Sequence, residues 1–156
     1  MGFYGKDKNL SIDDIVLTPL KVIDVLGGNV LHGMKSSDPG YKGFSEAYFS
    51  TVESGAVKAW KRHRQMVLNL IVPIGSIRFV VYDNRKNSIT SGLYQEVILS
   101  RENYCRLTIP PLLWVGFQGM DKSISMLLNI ANIVHDPDEV DRKEIHEIKY
   151  NWEIIK

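Results

Sequence analysis

From Phe44 onward the chain alternates between short apolar stretches and polar breaks. Glu46–Val52 is rich in aromatic and β-branched residues. Seven more runs follow, at Ala56–Trp60, Val67–Val72, Ile77–Tyr82, Tyr94–Leu99, Tyr104–Ile109, Val115–Phe117 and Ser125–Val134. Turn residues separate them: Ser54-Gly55, Pro73-Ile74-Gly75, Asp83-Asn84, Ser91-Gly92, Glu102-Asn103, Pro110-Pro111 and Gly119. Runs this short, at a spacing of roughly 8–12 residues, predict strands, and hardly any helix fits between them. Ahead of them, Ser11 predicts a helix cap with Asp13 and Asp14 in the first turn and Pro19 limiting its length. Val22–Leu26 predicts a short strand. Behind them, the segment from Pro137 is polar until Ile148–Ile155, which predicts a last strand.

Eight antiparallel strands make an all-β sandwich, most simply a jelly roll, the double-stranded β-helix of the cupins. The bowl of that fold commonly holds a small ligand. A length of 156 residues suits one domain. The expected organisation is a single domain over 1–156, with an N-terminal extension at 1–37, a jelly-roll core at 44–135 and a tail at 136–156.

Composition narrows the function classes. Hydrophobic residues at 44% and charged residues at 24% are ordinary for a folded soluble chain and exclude a disordered one. Nineteen Lys and Arg against eighteen Asp and Glu leave a net charge of +1, without the basic field of a nucleic-acid binder. The apolar runs are far shorter than the ~20 residues of a membrane helix. The polar start, MGFYGKDKNL, has no leader-like apolar run, and Lys6 breaks the myristoylation pattern. A cytoplasmic protein with no membrane or nucleic-acid partner is the expectation. The single cysteine, Cys105, excludes an intrachain disulfide and a Cys-based zinc site.

One spacing carries chemistry. The cupin metal motif reads Gly, five residues, His-x-His, three or four residues, Glu, six residues, Gly. Its two His alternate along one strand so that both face the bowl, and the Glu comes from the next strand. Gly55, Lys61-Arg62-His63, Leu68 and Gly75 fit that frame without a gap. The ligands are missing: Lys61 and Leu68 replace a His and the Glu, and Val115 stands where a further His is sought. One imidazole, a cation and two aliphatics cannot hold a divalent ion, so neither metal nor cofactor is expected. An inward Lys61 asks for an anionic ligand instead.

Several segments, in order, extend the frame. Gly75–Gly92 resembles the G-x-V-x-D-V-x-V-D-x-R-x-x-S-P-T-x-G run of the dTDP-4-dehydrorhamnose 3,5-epimerase family, a metal-free branch of the cupins. Gly43-Phe44-Ser45-Glu46 resembles its R-G-x-F-x-E segment, and Gly55–Lys61 its G-V-L-R-G-L-H. Leu99–Asn103, Ile109-Pro110-Pro111 and Gly116-Phe117 resemble its L-S-x-E-N and I-P-P-G-F-A-H-G-F. The resemblance spans Phe44 to Glu139.

The resemblance implies a homodimer acting on a nucleotide-diphosphate 4-keto-6-deoxysugar, most simply a dTDP-sugar, in deoxysugar or lipopolysaccharide biosynthesis. In the family a His removes the proton next to the keto group, a Lys stabilises the enolate oxygen, and a Tyr on the opposite face returns a proton. Here the base position falls on Lys61, the Lys position on Leu68 or Asn69, and the Tyr position near Leu128, in Met126–Asn129. Two readings follow. In the first, the chain is an epimerase in which His63 is the base and Lys61 or Asn69 the electrophile, or Lys61 itself is a base of lowered pKa. In the second, it is a non-catalytic sugar-nucleotide-binding or scaffold cupin. The expected substrate contacts are Phe44, Glu46, Lys58, Asn69, Trp114 and Asn129, with Lys58 at the family's phosphate-contacting Arg. Asp83 and Arg85 are expected to pair with each other or the backbone, and His135 to sit in a turn.

Overall fold

A computed structural model describes residues 12–153. The strands are β1 (Val16–Pro19), β2 (Val22–Val25), β3 (Gly28–Leu31), β4 (Glu46–Val52), β5 (Val57–His63), β6 (Leu68–Ile74), β7 (Ser76–Tyr82), β8 (Tyr94–Ser100), β9 (Cys105–Ile109), β10 (Trp114–Gly119), β11 (Ser125–Ala131) and β12 (Val140–Arg142). They form two antiparallel five-stranded sheets, β1-β9-β6-β11-β4 and β12-β5-β10-β7-β8, and a separate β2–β3 hairpin. Strands β4–β11 are the eight expected from the sequence, in jelly-roll order.

Alternation along each strand sends one set of side chains between the sheets and the other outward. Leu68, Leu70 and Val72 of β6 face Phe79, Val81 and Val115 of the second sheet in one core, which also holds Cys105. The outward set of β9 and β6 is not solvated. Arg106 is 0% exposed and donates to the Gly33 and Pro39 carbonyls at 2.7 and 2.8 Å. The strap 33–40 thus covers the outer face of the first sheet. On the outer face of the second, Trp60, Val80, Trp114 and Ile148 form another cluster, joined by Tyr150 and Trp152.

The Asp83–Gly92 stretch is a polar knot in the β7–β8 loop. Buried Asp83 accepts hydrogen bonds from Arg85 Nε (3.0 Å), Arg85 Nη2 (2.9 Å), Ser88 (2.6 Å) and Thr90 (2.7 Å). Burial alone would raise its pKa. The Arg85, Ser88 and Thr90 bonds outweigh it and hold the carboxyl well below the usual range. Gly75, at φ 82°, makes the tight β6–β7 turn, a conformation that only glycine adopts cheaply. Leu112 occupies the glycine position of the family's I-P-P-G run and adopts φ 71°, donating its N–H to the His63 carbonyl at 2.7 Å.

Three expectations fail. Asp13 and Asp14 form a turn that leads into β1, not a helix, and Ser11 lies outside the described residues. Ile148–Glu153 is not a strand: Ile148 packs on the aromatic cluster instead of joining a sheet edge. Ile154 and Ile155 lie outside the described residues. The edge strand is β12, inside the segment read as a polar tail. It docks because Asp141 accepts from Arg62 at 2.7 Å and from Arg64 at 2.5 Å.

Candidate active site

A cavity of about 650 Å³ opens between the two sheets. Its floor is apolar, built from Leu68, Leu70, Val115, Phe117 and Leu127. Its rim is polar. Strand β5 pairs with β10 on one side and β12 on the other, in a register that sets Lys61 beside Val115 and Arg142, and His63 beside Val140. All five side chains line the cavity. The alternate residue, Arg62, points outward to Asp141 and stacks its guanidinium 4.7 Å from the Trp114 ring centre.

Lys61 stands open to the cavity mouth. Desolvation, and then repulsion from Arg142 and Lys58, lower its pKa from the ordinary lysine value. Together Lys58, Lys61, Arg142 and Lys143 outnumber the carboxylates of Glu46 and Glu144 in the lining. The rim therefore favours an anionic group.

The side chain of His63 is nearly buried, and its Nδ1 bonds Glu139 Oε1. The other carboxylate oxygen, Oε2, accepts from the backbone N–H groups of Arg64 (3.1 Å), Gln65 (3.0 Å) and Met66 (3.2 Å). Burial pushes the Glu139 pKa up, but the bonds from His63, Gln65 and Met66 together bring it below the ordinary value. Glu139 is therefore ionised and can only accept, so Nδ1 carries the proton that it donates. Nε2 is then the unprotonated nitrogen of the neutral ring, and no described protein group bonds it.

Five of the eight site residues expected from the sequence converge on this cavity: Lys61, His63, Glu46, Lys58 and Asn129. Lys58 also donates to the Thr51 carbonyl at 3.0 Å. Three do not. Asn69 points to the opposite face of β6, where its amide nitrogen donates to the Gly40 carbonyl and its oxygen accepts from Thr108 at 2.6 Å. It is a structural residue beneath the strap and does not line the cavity. Trp114 is buried in the outer aromatic cluster, because the register that turns Val115 inward turns its neighbour out. Phe44 is 61% exposed and lies outside the lining. Leu128, where the family's Tyr would fall, also alternates away from the cavity between Leu127 and Asn129.

The sequence reading missed Tyr48, Glu139 and Arg142. Tyr48 carried a signal, since it alternates with Glu46 in a strand already expected to face the bowl. Glu139 and Arg142 sit in the segment read as a tail, and only the docking of β12 brings them to β5. His135, in the expected turn after β11, lies on the cavity rim. Among the described residues, no three His, Cys, Asp or Glu side chains gather as a metal site.

No family model matches the chain. Individual proteins do. A dTDP sugar isomerase from Desulfovibrio desulfuricans G20 is 38% identical, with 90% of this chain and 92% of that one covered and a TM-score of 0.87. A probable low-salt glycan biosynthesis epimerase of Haloferax volcanii is 27% identical over 137 residues, 86% of this chain and 88% of that protein. The dTDP-4-dehydrorhamnose 3,5-epimerase of Sulfolobus tokodaii is 26% identical, with 87% and 80% covered and a TM-score of 0.76. With the jelly-roll order, the ordered motifs and near-full-length identity to the first of these, the chain belongs to the family of dTDP-sugar isomerases and dTDP-4-dehydrorhamnose 3,5-epimerases.

Proposed function

We propose that the protein is an epimerase or isomerase of a nucleotide-diphosphate 4-keto-6-deoxysugar, most simply a dTDP-sugar, with His63 as general base. The observation that carries this reading is the His63–Glu139 pair in the cavity that also holds Lys61. A keto group acidifies the hydrogens on its neighbouring carbons, so the reaction needs a base at the C–H and a cation at the developing oxyanion. Glu139 keeps the proton on Nδ1 and stabilises the imidazolium that forms when Nε2 takes the substrate proton. The ammonium of Lys61 lies on the same strand and the same face, two residues away, and balances the enolate oxygen. The apolar floor excludes water from the ring, and Lys58, Arg142 and Lys143 at the rim suit a diphosphate. Leu68 and Val115 have lost metal-binding character without harm to such chemistry, because proton transfer beside a ketone does not require an ion.

We also propose a cytoplasmic homodimer. Among the described residues, no helix is long and apolar enough to cross a membrane.

The aliphatic side chains at 68 and 115 equally suit a non-catalytic sugar-nucleotide binder, and one experiment separates the two. The protein is incubated with dTDP-4-keto-6-deoxyglucose in heavy water, and label at C3 and C5 is followed by NMR. Base catalysis by His63 gives label in the wild type and a loss of about 100-fold or more in His63→Ala. An unlabelled sugar, alongside measurable nucleotide binding, identifies the binder and ends the epimerase reading.

A further inference from the structure

Lys58, Lys61 and Lys143 all line the cavity, but their nitrogens are placed differently. Lys58 Nζ donates to the Thr51 carbonyl at 3.0 Å. Lys143 Nζ stands 5.5 Å from the centre of the Trp114 ring, a cation held over an aromatic face. Lys61 has neither kind of partner. Among the described residues its Nζ meets no carboxylate and no hydrogen-bond acceptor. Its cross-strand neighbours are Val115 on one side and Arg142 on the other, an aliphatic side chain and a second cation. Lys61 is exposed at the cavity mouth, so a solute can reach its nitrogen.

That setting favours a neutral amine. A lysine directly opposite an arginine, with no carboxylate bonded to either among the described residues, is a repulsive pair. Desolvation, then Arg142 and Lys58, act in the same direction on Lys61. Arginine cannot supply a neutral nitrogen, so Lys61 is the cation of the lining poised as a nucleophile. Two residues along the same strand face, His63 Nε2 is free to take a proton. An amine next to a base suits a ketone in a particular way. A C–H beside an iminium carbon ionises far more readily than one beside the parent carbonyl. We propose that Lys61 condenses with the keto carbon of the sugar to form a Schiff base, from which His63 removes the adjacent proton. The inference rests on the epimerase reading above; the nitrogen that balances charge there through space does so here through a bond.

The step balances without an oxidant or reductant. The Lys61 amine adds to the keto carbon, and the oxygen takes up a proton to give a carbinolamine. A second proton transfer releases that oxygen as water and leaves the iminium, so one proton is consumed in all. The C–H bond on the adjacent carbon breaks as its proton moves to His63 Nε2. Its electron pair forms a carbon–carbon double bond, and the C=N pair moves onto nitrogen as a neutral enamine. The carbon then takes a proton from solvent, water adds back to the iminium, and the amine leaves the restored ketone.

Wild type, Lys61→Arg and His63→Ala are each incubated with dTDP-4-keto-6-deoxyglucose and sodium cyanoborohydride, which reduces an iminium to a stable secondary amine. Intact mass and peptide mapping then locate the sugar, while circular dichroism and dTDP binding verify that each variant folds. One adduct is expected in wild type, on Lys61. His63→Ala should keep that adduct, because condensation precedes the proton transfer. Lys61→Arg retains the cation but cannot condense, and is expected to lose both the adduct and deuterium exchange at C3 and C5. Exchange by folded Lys61→Arg within a few-fold of wild type overturns the proposal and leaves Lys61 an electrostatic role. So does a wild type that exchanges deuterium yet traps no adduct, or one that traps it on Lys61 no more than on an exposed lysine such as Lys86. Failure of the underlying reading looks different, since the wild type itself would then incorporate no deuterium.

Discussion

His63 and Glu139 are 76 residues apart in sequence, and their pairing is the most consequential contact in the molecule. Glu139 does two jobs with its two oxygens, holding the imidazole with one and the backbone turn at 64–66 with the other. Next to it Asp141 is held by Arg64 and then Arg62 at a pKa of about 2, against an ordinary 3.8. Glu139 also lies below its ordinary 4.5. Both folded-state values are depressed, so the unfolded chain takes up these protons first. The stability they provide is complete above about pH 4.5 and is lost as pH falls from there towards 2. Urea midpoints are expected to be level from pH 7 to 5 and to fall steadily at pH 4 and 3. Asp141→Asn should flatten that decline, and a midpoint unchanged down to pH 3 would refute the argument.

At the scale of elements, β10 shows how tightly the site is framed. Gly116 lies between Val115, which faces the cavity, and Phe117. A Cβ at 116 would stand 2.8 Å from the Ala59 Cβ and 2.9 Å from the Trp152 ring. Gly116→Ala is thus expected to cost about 1–3 kcal/mol through overpacking. It should also shift tryptophan emission to the red as the 148–153 segment lifts from the sheet. Equal urea stability of the two proteins would show that the segment yields freely. Strands β4–β11 were legible because each combines a period-2 apolar pattern with a turn signal, both local properties. Strand β12 was not legible. Val140-Asp141-Arg142 is three residues long and two of them are charged; it becomes a strand because Asp141 meets two arginines on β5.

For the molecule as a whole, the β2–β3 hairpin is unusual. It carries Val22, Ile23, Val25, Leu26 and Val30, all more than a third exposed, with Leu26 fully so. Among the described residues, strand β4 is likewise an unpaired sheet edge, bearing Phe49 at 63% exposure. An apolar hairpin and a bare edge on one chain match the homodimer proposed above, since each would be covered by a second copy. Light scattering is expected to give about twice 17.8 kDa. The double variant Leu26→Asp, Val30→Asp should return the single-chain mass, and a wild-type monomer at micromolar concentration would dismiss the dimer.

The amino-acid sequence by itself determined strands β4–β11, their turns and the Gly55–Gly75 frame, and with them the inward placement of Lys61 and His63. These follow from alternation and turn chemistry, which act over a few residues. Tertiary structure alone decided which partner each inward group meets. Whether Asn69 faced the bowl or the strap, whether Trp114 lined the mouth or the outer cluster, and which carboxylate reached His63 all depended on register between strands distant in the chain. Register is set by the sum of packing on both faces of a sheet, and a one-residue difference reverses every side chain along it.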